Sequence, residues 1–214
     1  MITIAVPTGY LLAGSLALVR AAGLADLELE SIGRRLIIDA GPDLRLITVR
    51  PQDVPVYVDH GSADLGIVGK DALWETERMH YELLDLFFGG CRLVMAVPEP
   101  SPLGGRESWP PFMRVATKYL AASRAFFEEQ GQDVELIKLY GSVELGPLTG
   151  LADCVVDLSA TGNTLRANHL REVVEVARST ARLIANQVSL RTRGEAVQDI
   201  VSRLRAAVRA GVAP

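Results

Sequence analysis

Six small or polar residues, Ser159 to Thr164 in the order SATGNT, follow the apolar run Cys154 to Val156, with Asp157 and Leu158 between them. The run reads as a buried strand ending at Asp157, and the segment after the turn reads as a helix start. Such a turn can cradle an anion. Gly162 permits close backbone approach, the hydroxyls add donors, and free N–H groups at a helix start favour a phosphate through hydrogen bonds and the helix dipole. Asp157, at the strand end, is placed to accept from sugar hydroxyls. The same residue types also make ordinary turns and helix caps, so this turn alone is a weak signal. A second loop sharpens it: in Tyr140 to Pro147, YGSVELGP, Ser142 can cap a helix and Glu144 can face Asp157. Two carboxylates beside one phosphate loop suit a ribose.

The elements that must hold these loops alternate between strand and helix. Ile2 to Val6 is a short apolar strand, PTGYLLAG a loop, and Ser15 a candidate N-cap for a helix running to Ala22. Leu36 to Asp39 and Leu44 to Val49 flank the turn AGPD and read as a hairpin or two edge strands. Gln52 to Gly61 reads as a helix with Asp53 as N-cap, followed by a strand at Ala63 to Val68. Gly66, Gly69 and Lys70 then lie at a strand end, where open α/β sheets bind ligands. A plain strand-to-helix turn with a solvated lysine fits those residues as well.

Leu84 to Phe88 and Cys91 to Val97 flank Gly89 and Gly90, after which PEPSPLGGRESWPP marks a domain boundary. A second α/β unit follows, with strands at Met113 to Ala116 and Val134 to Tyr140 around a helix from about Lys118 to Gln130. Beyond the cradle, Val173 to Val176 and Ala181 to Val188 read as strands. The closing segment GEAVQDIVSRLRAAVRA carries Val197, Ile200, Val201, Leu204 and Val208 at helical spacing and is expected to pack on the first domain.

With 214 residues, 49% hydrophobic and 22% charged, the chain can bury a core as one large or two small domains. A formal net charge of −4 supplies no general field for nucleic acid, so phosphate binding should be local. Met1 to Leu18 has no basic n-region and contains Pro7 and Gly9, and no run approaches the roughly 18 apolar residues of a spanning helix. No membrane contact and a cytoplasmic location are therefore expected. Cys91 and Cys154 sit in apolar segments and read as reduced core residues, and His60, His80 and His169 are too scattered for a metal site.

Three blocks, LYGSVELGPLTGLADCVVDLSATGNTLRANHL, DHGSADLGIVGKDAL and FGGCRLVMAVPE, closely resemble the short form of ATP phosphoribosyltransferase, the first enzyme of histidine biosynthesis. The likeness covers nearly the whole chain. It implies an α/β, two-lobed periplasmic-binding-protein-like fold with a central cleft and a discontinuous first domain, residues 1–98 plus 181–214 around a second domain at 99–180. It implies transfer of the phosphoribosyl group of phosphoribosyl pyrophosphate to N1 of ATP, with Mg2+ on the departing pyrophosphate. Ser159, Thr161, Gly162, Asn163 and Thr164 would hold the 5′-phosphate, and the catalytic carboxylates Asp157 and Glu144 would accept from the ribose hydroxyls and favour an oxocarbenium-like centre. Arg50, Asp64, Gly69, Lys70, Gly90 and Cys91 would contact ATP or pyrophosphate, and Lys118 and Tyr119 would line the adenine pocket, although a capping lysine and a packed tyrosine are equally ordinary. The resemblance further implies a homo-oligomer and a histidyl-tRNA-synthetase-like regulatory subunit.

A single acidic residue, Asp157, precedes this turn, whereas the phosphoribosyltransferases acting on free bases usually carry two adjacent ones before a TGGT-like turn. The departure from the resembled family lies in the first loop. Its members generally read PKGRL, and this chain reads PTGYL, so Thr8 and Tyr10 replace a lysine and an arginine. A tyrosine can stack or donate one hydrogen bond but cannot replace a bidentate guanidinium. Phe87 and His169 also stand where glycine is usual. The alternative function is therefore a phosphoribosyl- or nucleotide-binding relative with weakened or lost catalysis.

Overall fold

The computed structural model describes residues 1–27, 29, 33, 35–76 and 80–211. The chain forms two compact units, Met1–Gly89 with Thr180–Pro214, and Gly90–Ser179.

The first unit is built on a six-stranded sheet in the order β2-β3-β1-β4-β11-β5. Its strands are β1 (Ile2–Pro7), β2 (Ile37–Asp39), β3 (Leu44–Val49), β4 (Leu65–Gly69), β5 (Tyr81–Asp85) and β11 (Ala181–Ala185). β1 is parallel to β3 and β4, while β11 runs antiparallel to both β4 and β5. The strands β1, β3, β4 and β5 therefore end at one edge. β1 is buried at every position but Thr3, as a parallel strand covered on both faces must be. Helices α1 (Leu12–Ala21), α2 (Val54–Asp59), α3 (Lys70–Trp74), α7 (Gln187–Thr192) and α8 (Gly194–Arg209) belong to this unit. In α8, Val197, Ile200, Val201 and Leu204 are buried at helical spacing and join the core cluster that includes Leu16 and Leu18 of α1. Gly66 lets α2 lie on β4, because a Cβ there would come within 2.7 Å of Val54 and 2.8 Å of Val58.

The second unit carries a five-stranded sheet in the order β10-β6-β9-β7-β8. These are β6 (Cys91–Pro98), β7 (Met113–Thr117), β8 (Val134–Lys138), β9 (Cys154–Ser159) and β10 (Leu170–Ser179), with helices α4 (Leu120–Glu129), α5 (Leu145–Leu148) and α6 (Asn163–Ala167). β7 is parallel to β8 and β9, β6 is antiparallel to β9, and β10 is antiparallel to β6. The turns after β7, β8 and β9 and the start of β6 consequently share one edge. Trp109, Phe126 and Phe127 pack as tilted and edge-on rings, with centroids 5.2–6.3 Å apart.

Local details differ from the sequence expectations in instructive ways. α1 begins at Leu12, so Ser15 is not its cap; it is fully buried within the helix and donates its hydroxyl to the Leu11 carbonyl at 2.7 Å. Asp53 does stand before α2, but its side chain makes no cap bond, since a 3-10 turn at Pro51–Asp53 already tightens the entry. Ser142 does not cap α5 with its side chain: its backbone is left-handed, φ 48°, and its carbonyl accepts from Leu145 N–H. Cys91–Pro98, expected in the first domain, pairs with β9 and β10 and lies in the second sheet.

Candidate functional site

The shared edge of the second sheet gathers three turns. β9 delivers Asp157 and the SATGNT turn, the chain after β8 delivers Glu144, and the chain after β7 delivers Lys118. A depression of about 260 Å3 is lined there by Glu144, Asp157 and every residue from Ser159 to Thr164. The two carboxylates and the phosphate turn named from the sequence are thus neighbours.

Asp157 is half-buried, and its carboxyl is pushed up to about 6. Burial is the main cause; the Leu158 N–H bond opposes it, the charge of Glu144 adds to it, and Lys118 opposes it. Asp157 is therefore a carboxylate held at the edge of its ionisable range. Fresh positive charge beside it would lower its energy more than it would that of a fully solvated acid.

The turn is shaped by Gly162, whose φ of +74° is left-handed and whose missing Cβ leaves room for two side chains. A Cβ there would lie 2.8 Å from an Arg166 nitrogen and 3.2 Å from Glu172 Oε1. Arg166 folds back to donate to the Thr161 carbonyl at 2.8 Å and to Asn163 Oδ1 at 2.6 Å. A helix beginning at Asn163 leaves its first N–H groups without acceptors inside the helix, with Asn163 N–H making one long contact, 3.4 Å, to Thr161 Oγ1. Thr161, Asn163 and Thr164 are exposed at this turn.

Ser159 behaves differently. It is buried and donates its hydroxyl to Glu172 Oε1 at 2.9 Å, and Glu172 also accepts from Arg92, 2.9 Å from Oε2. Ser159 is thereby an anchor of the turn, with its proton already committed. The sequence reading missed Arg92, Arg166 and Glu172. Cross-strand register carries the signal for Arg92 alone, which pairs with Ser159; Glu172 pairs with Ala96, itself opposite Val155, and reaches Ser159 and Arg92 only through its side chain.

Gly90 and Cys91, at the start of β6, also come to this edge, because β6 runs antiparallel to β9. Tyr119 follows β7 but is buried, and its N–H donates to Thr117 Oγ1 at 2.9 Å, so it is held within the unit as a packed residue.

The matching edge of the first sheet holds Thr8 to Tyr10 after β1, Arg50 after β3, Gly69 and Lys70 at the end of β4, and Leu86 to Gly89 after β5. Arg50 and Tyr10 are exposed; Lys70 is paired with Glu82. Asp64 does not join them. It precedes β4 and so lies at the opposite edge, buried, accepting from Thr3 N–H at 2.8 Å, Ser189 Oγ at 2.6 Å and Arg193 at 3.0 Å. Those partners saturate its carboxylate.

Comparison with known proteins defines the class first. The chain is similar to the periplasmic aliphatic sulphonate binding protein SsuA from Escherichia coli, at 14% identity and a TM-score of 0.62 over 97% of this chain and 72% of that one. This is a periplasmic-binding-protein-like α/β fold. A family model, HisG: ATP phosphoribosyltransferase, matches residues 50–206. An ATP phosphoribosyltransferase from Caldanaerobacter subterraneus subsp. tengcongensis is 42% identical over 212 residues, 99% of both chains. The ATP phosphoribosyl transferase (HisG:HisZ) complex from Thermotoga maritima matches with a TM-score of 0.81 and 30% identity, over 98% of this chain and 100% of that one. The chain belongs to the ATP phosphoribosyltransferase family.

Proposed function

We propose that this chain transfers the phosphoribosyl group of phosphoribosyl pyrophosphate to N1 of ATP, giving phosphoribosyl-ATP and pyrophosphate, the first step of histidine biosynthesis. The observation that carries this reading is the convergence of Asp157 and Glu144 on the SATGNT turn in one depression, in a chain of this family.

The 5′-phosphate is held by Thr161, Asn163, Thr164 and the N–H groups of the turn, opened by Gly162 and anchored through Ser159. Asp157 and Glu144 accept from the ribose hydroxyls, which fixes the anomeric carbon. As the bond to pyrophosphate lengthens, positive charge grows on the ribose, and the half-buried Asp157 carboxylate stabilises it. Arg50, Lys70, Gly69, Gly90 and Cys91 contribute to holding ATP or pyrophosphate, with Lys70 first leaving Glu82.

Mg2+ fits this donor set as a companion of the substrate. Asp157 and Glu144, oxygen donors beside the turn, would hold an ion brought in on the substrate. Bound there, it would supply charge neutralisation to the departing pyrophosphate. We further propose a cytoplasmic homo-oligomer that pairs with a histidyl-tRNA-synthetase-like regulatory subunit; the Thermotoga maritima HisG:HisZ complex supports that pairing.

The test is formation of phosphoribosyl-ATP from ATP, phosphoribosyl pyrophosphate and Mg2+, by this chain alone and with the regulatory subunit. Product in either mixture is the expected result. Absence of product in both, with phosphoribosyl pyrophosphate still bound, would overturn the catalytic reading.

A further inference from the structure

Phe87 is an exposed phenylalanine held in a backbone conformation that bulky residues avoid. Its φ is 56°, its side chain is 72% exposed, and it stands at the ligand-binding edge of the first sheet. The surroundings force this geometry. Leu86 and Phe88 on either side are both buried. Leu86 N–H donates to the Ala181 carbonyl and Ala181 N–H donates to the Phe88 carbonyl, each at 2.9 Å, so Phe87 is left over between two tied residues.

Further constraints hold each flank. Phe88 is locked by Gly14 of α1, where a Cβ would come within 2.5 Å of its ring. On the other side, Asp85 accepts from Phe87 N–H at 2.9 Å and from Thr180 Oγ1 at 2.8 Å, and it pairs with Arg182 at 3.0 Å. The left-handed conformation is therefore over-determined, and a glycine would meet it without strain.

A second aromatic ring lies beside this turn. Tyr10 is 73% exposed, and its Cε1 comes within 3.9 Å of where a Cβ on Gly89 would stand. One exposed ring thus borders the glycine two residues after the exposed Phe87, on an edge that also carries the exposed Arg50 at the end of β3. Exposed aromatic faces suit a planar base.

We propose that Phe87, with Tyr10 beside it, is the surface on which the adenine ring of ATP stacks, so that Phe87 sets nucleotide affinity and selectivity in this chain. The proposal rests on the transferase reading for its choice of ligand. It makes use of the strain: a residue that costs backbone energy while standing largely exposed contributes through what it touches when ligand arrives.

Phe112 supplies an internal control. It shares the same features, φ 57° and 73% exposure, but precedes β7 and so lies at the opposite edge of the second sheet from the cradle. Phe87→Gly and Phe112→Gly should both raise Tm by relieving strain. Calorimetric titration with ATP, which needs no turnover, should then separate them. Phe87→Gly is expected to weaken ATP binding about tenfold, Phe87→Trp to retain it, and Phe112→Gly to leave it unchanged, while phosphoribosyl pyrophosphate binding stays constant in all three. Unchanged ATP affinity in Phe87→Gly would overturn the proposal, and an altered oligomeric state alongside it would mark the ring as a protein contact. Failure of the transferase reading would appear separately, as ATP binding by the unsubstituted chain without product.

Discussion

The edges at which the parallel strands of the two sheets end are built on opposite plans. The edge of the second sheet is small, hydroxyl-rich and tied down: Gly162 opens it, Arg166 and Glu172 brace it, and Ser159 is pinned below. The edge of the first sheet presents larger, looser groups, with Tyr10, Arg50 and Phe87 exposed and Lys70 turned to Glu82. On the proposed function, the difference teaches that a phosphate would be gripped by backbone geometry prepared in advance, whereas a base and its flexible phosphates would be met by side chains. Damage to the first kind of site should be abrupt, and damage to the second graded.

Asp157→Asn is the most severe way to break that comparison. It should lower kcat about 100-fold, with phosphoribosyl pyrophosphate affinity changed far less, measured by steady-state kinetics. Because the folded carboxyl is raised from 3.8 to about 6, it destabilises the fold once ionised, fully above pH 6 and not at all below the unfolded value. The same substitution should therefore raise stability at pH 8 by about 1–2 kcal/mol after solvent screening and leave it unchanged near pH 3. In the unsubstituted enzyme kcat should fall as pH drops through about 6.

Gly162→Ala comes next. The strained φ and the contacts with Arg166 and Glu172 should raise the KM for phosphoribosyl pyrophosphate about 30-fold and lower stability by about 1 kcal/mol. Glu172→Gln, which loosens the Ser159 anchor, should raise that KM about fivefold while leaving the KM for ATP in place. On the other edge Arg50→Ala should raise the KM for ATP about threefold, with the effect shrinking in high salt because the group is exposed. Asp64→Ala sharpens the comparison from outside both edges. It should leave both KM values untouched while costing about 1–2 kcal/mol of stability in a urea melt, since it leaves Thr3 N–H and the Ser189 hydroxyl without their acceptor while the half-exposed Arg193 turns to water.

The cradle was legible because its signal is local: an apolar run, an acid, a glycine and hydroxyls in one stretch. The facing of Glu144 and Asp157 was legible too, as the turns after β8 and β9 reach the same edge of one sheet. Asp64, expected among the ATP or pyrophosphate contacts, stands elsewhere for a reason legible in the sequence: a residue ahead of a parallel strand lies at the opposite edge from the residues that follow it. Ser159 could not be resolved, because a hydroxyl that grips a ligand and one that ties down its own loop are the same letter, and the deciding partner, Glu172, lies on another strand. The sequence shows Phe87 only as a residue standing where glycine is usual. Its left-handed backbone arises from Ala181, which returns to the first sheet after the whole second unit has intervened.

That return has a consequence for the order in which the protein acquires structure. β11 occupies the position between β4 and β5, so the first sheet cannot close while the chain is shorter than residue 185. During synthesis β5 waits for roughly ten seconds without β11, its one strand neighbour among the described residues, whereas every strand of the second sheet arrives within one uninterrupted stretch. The unit made first is thus completed last, and its open strand edges are what a chaperone on the ribosome would meet.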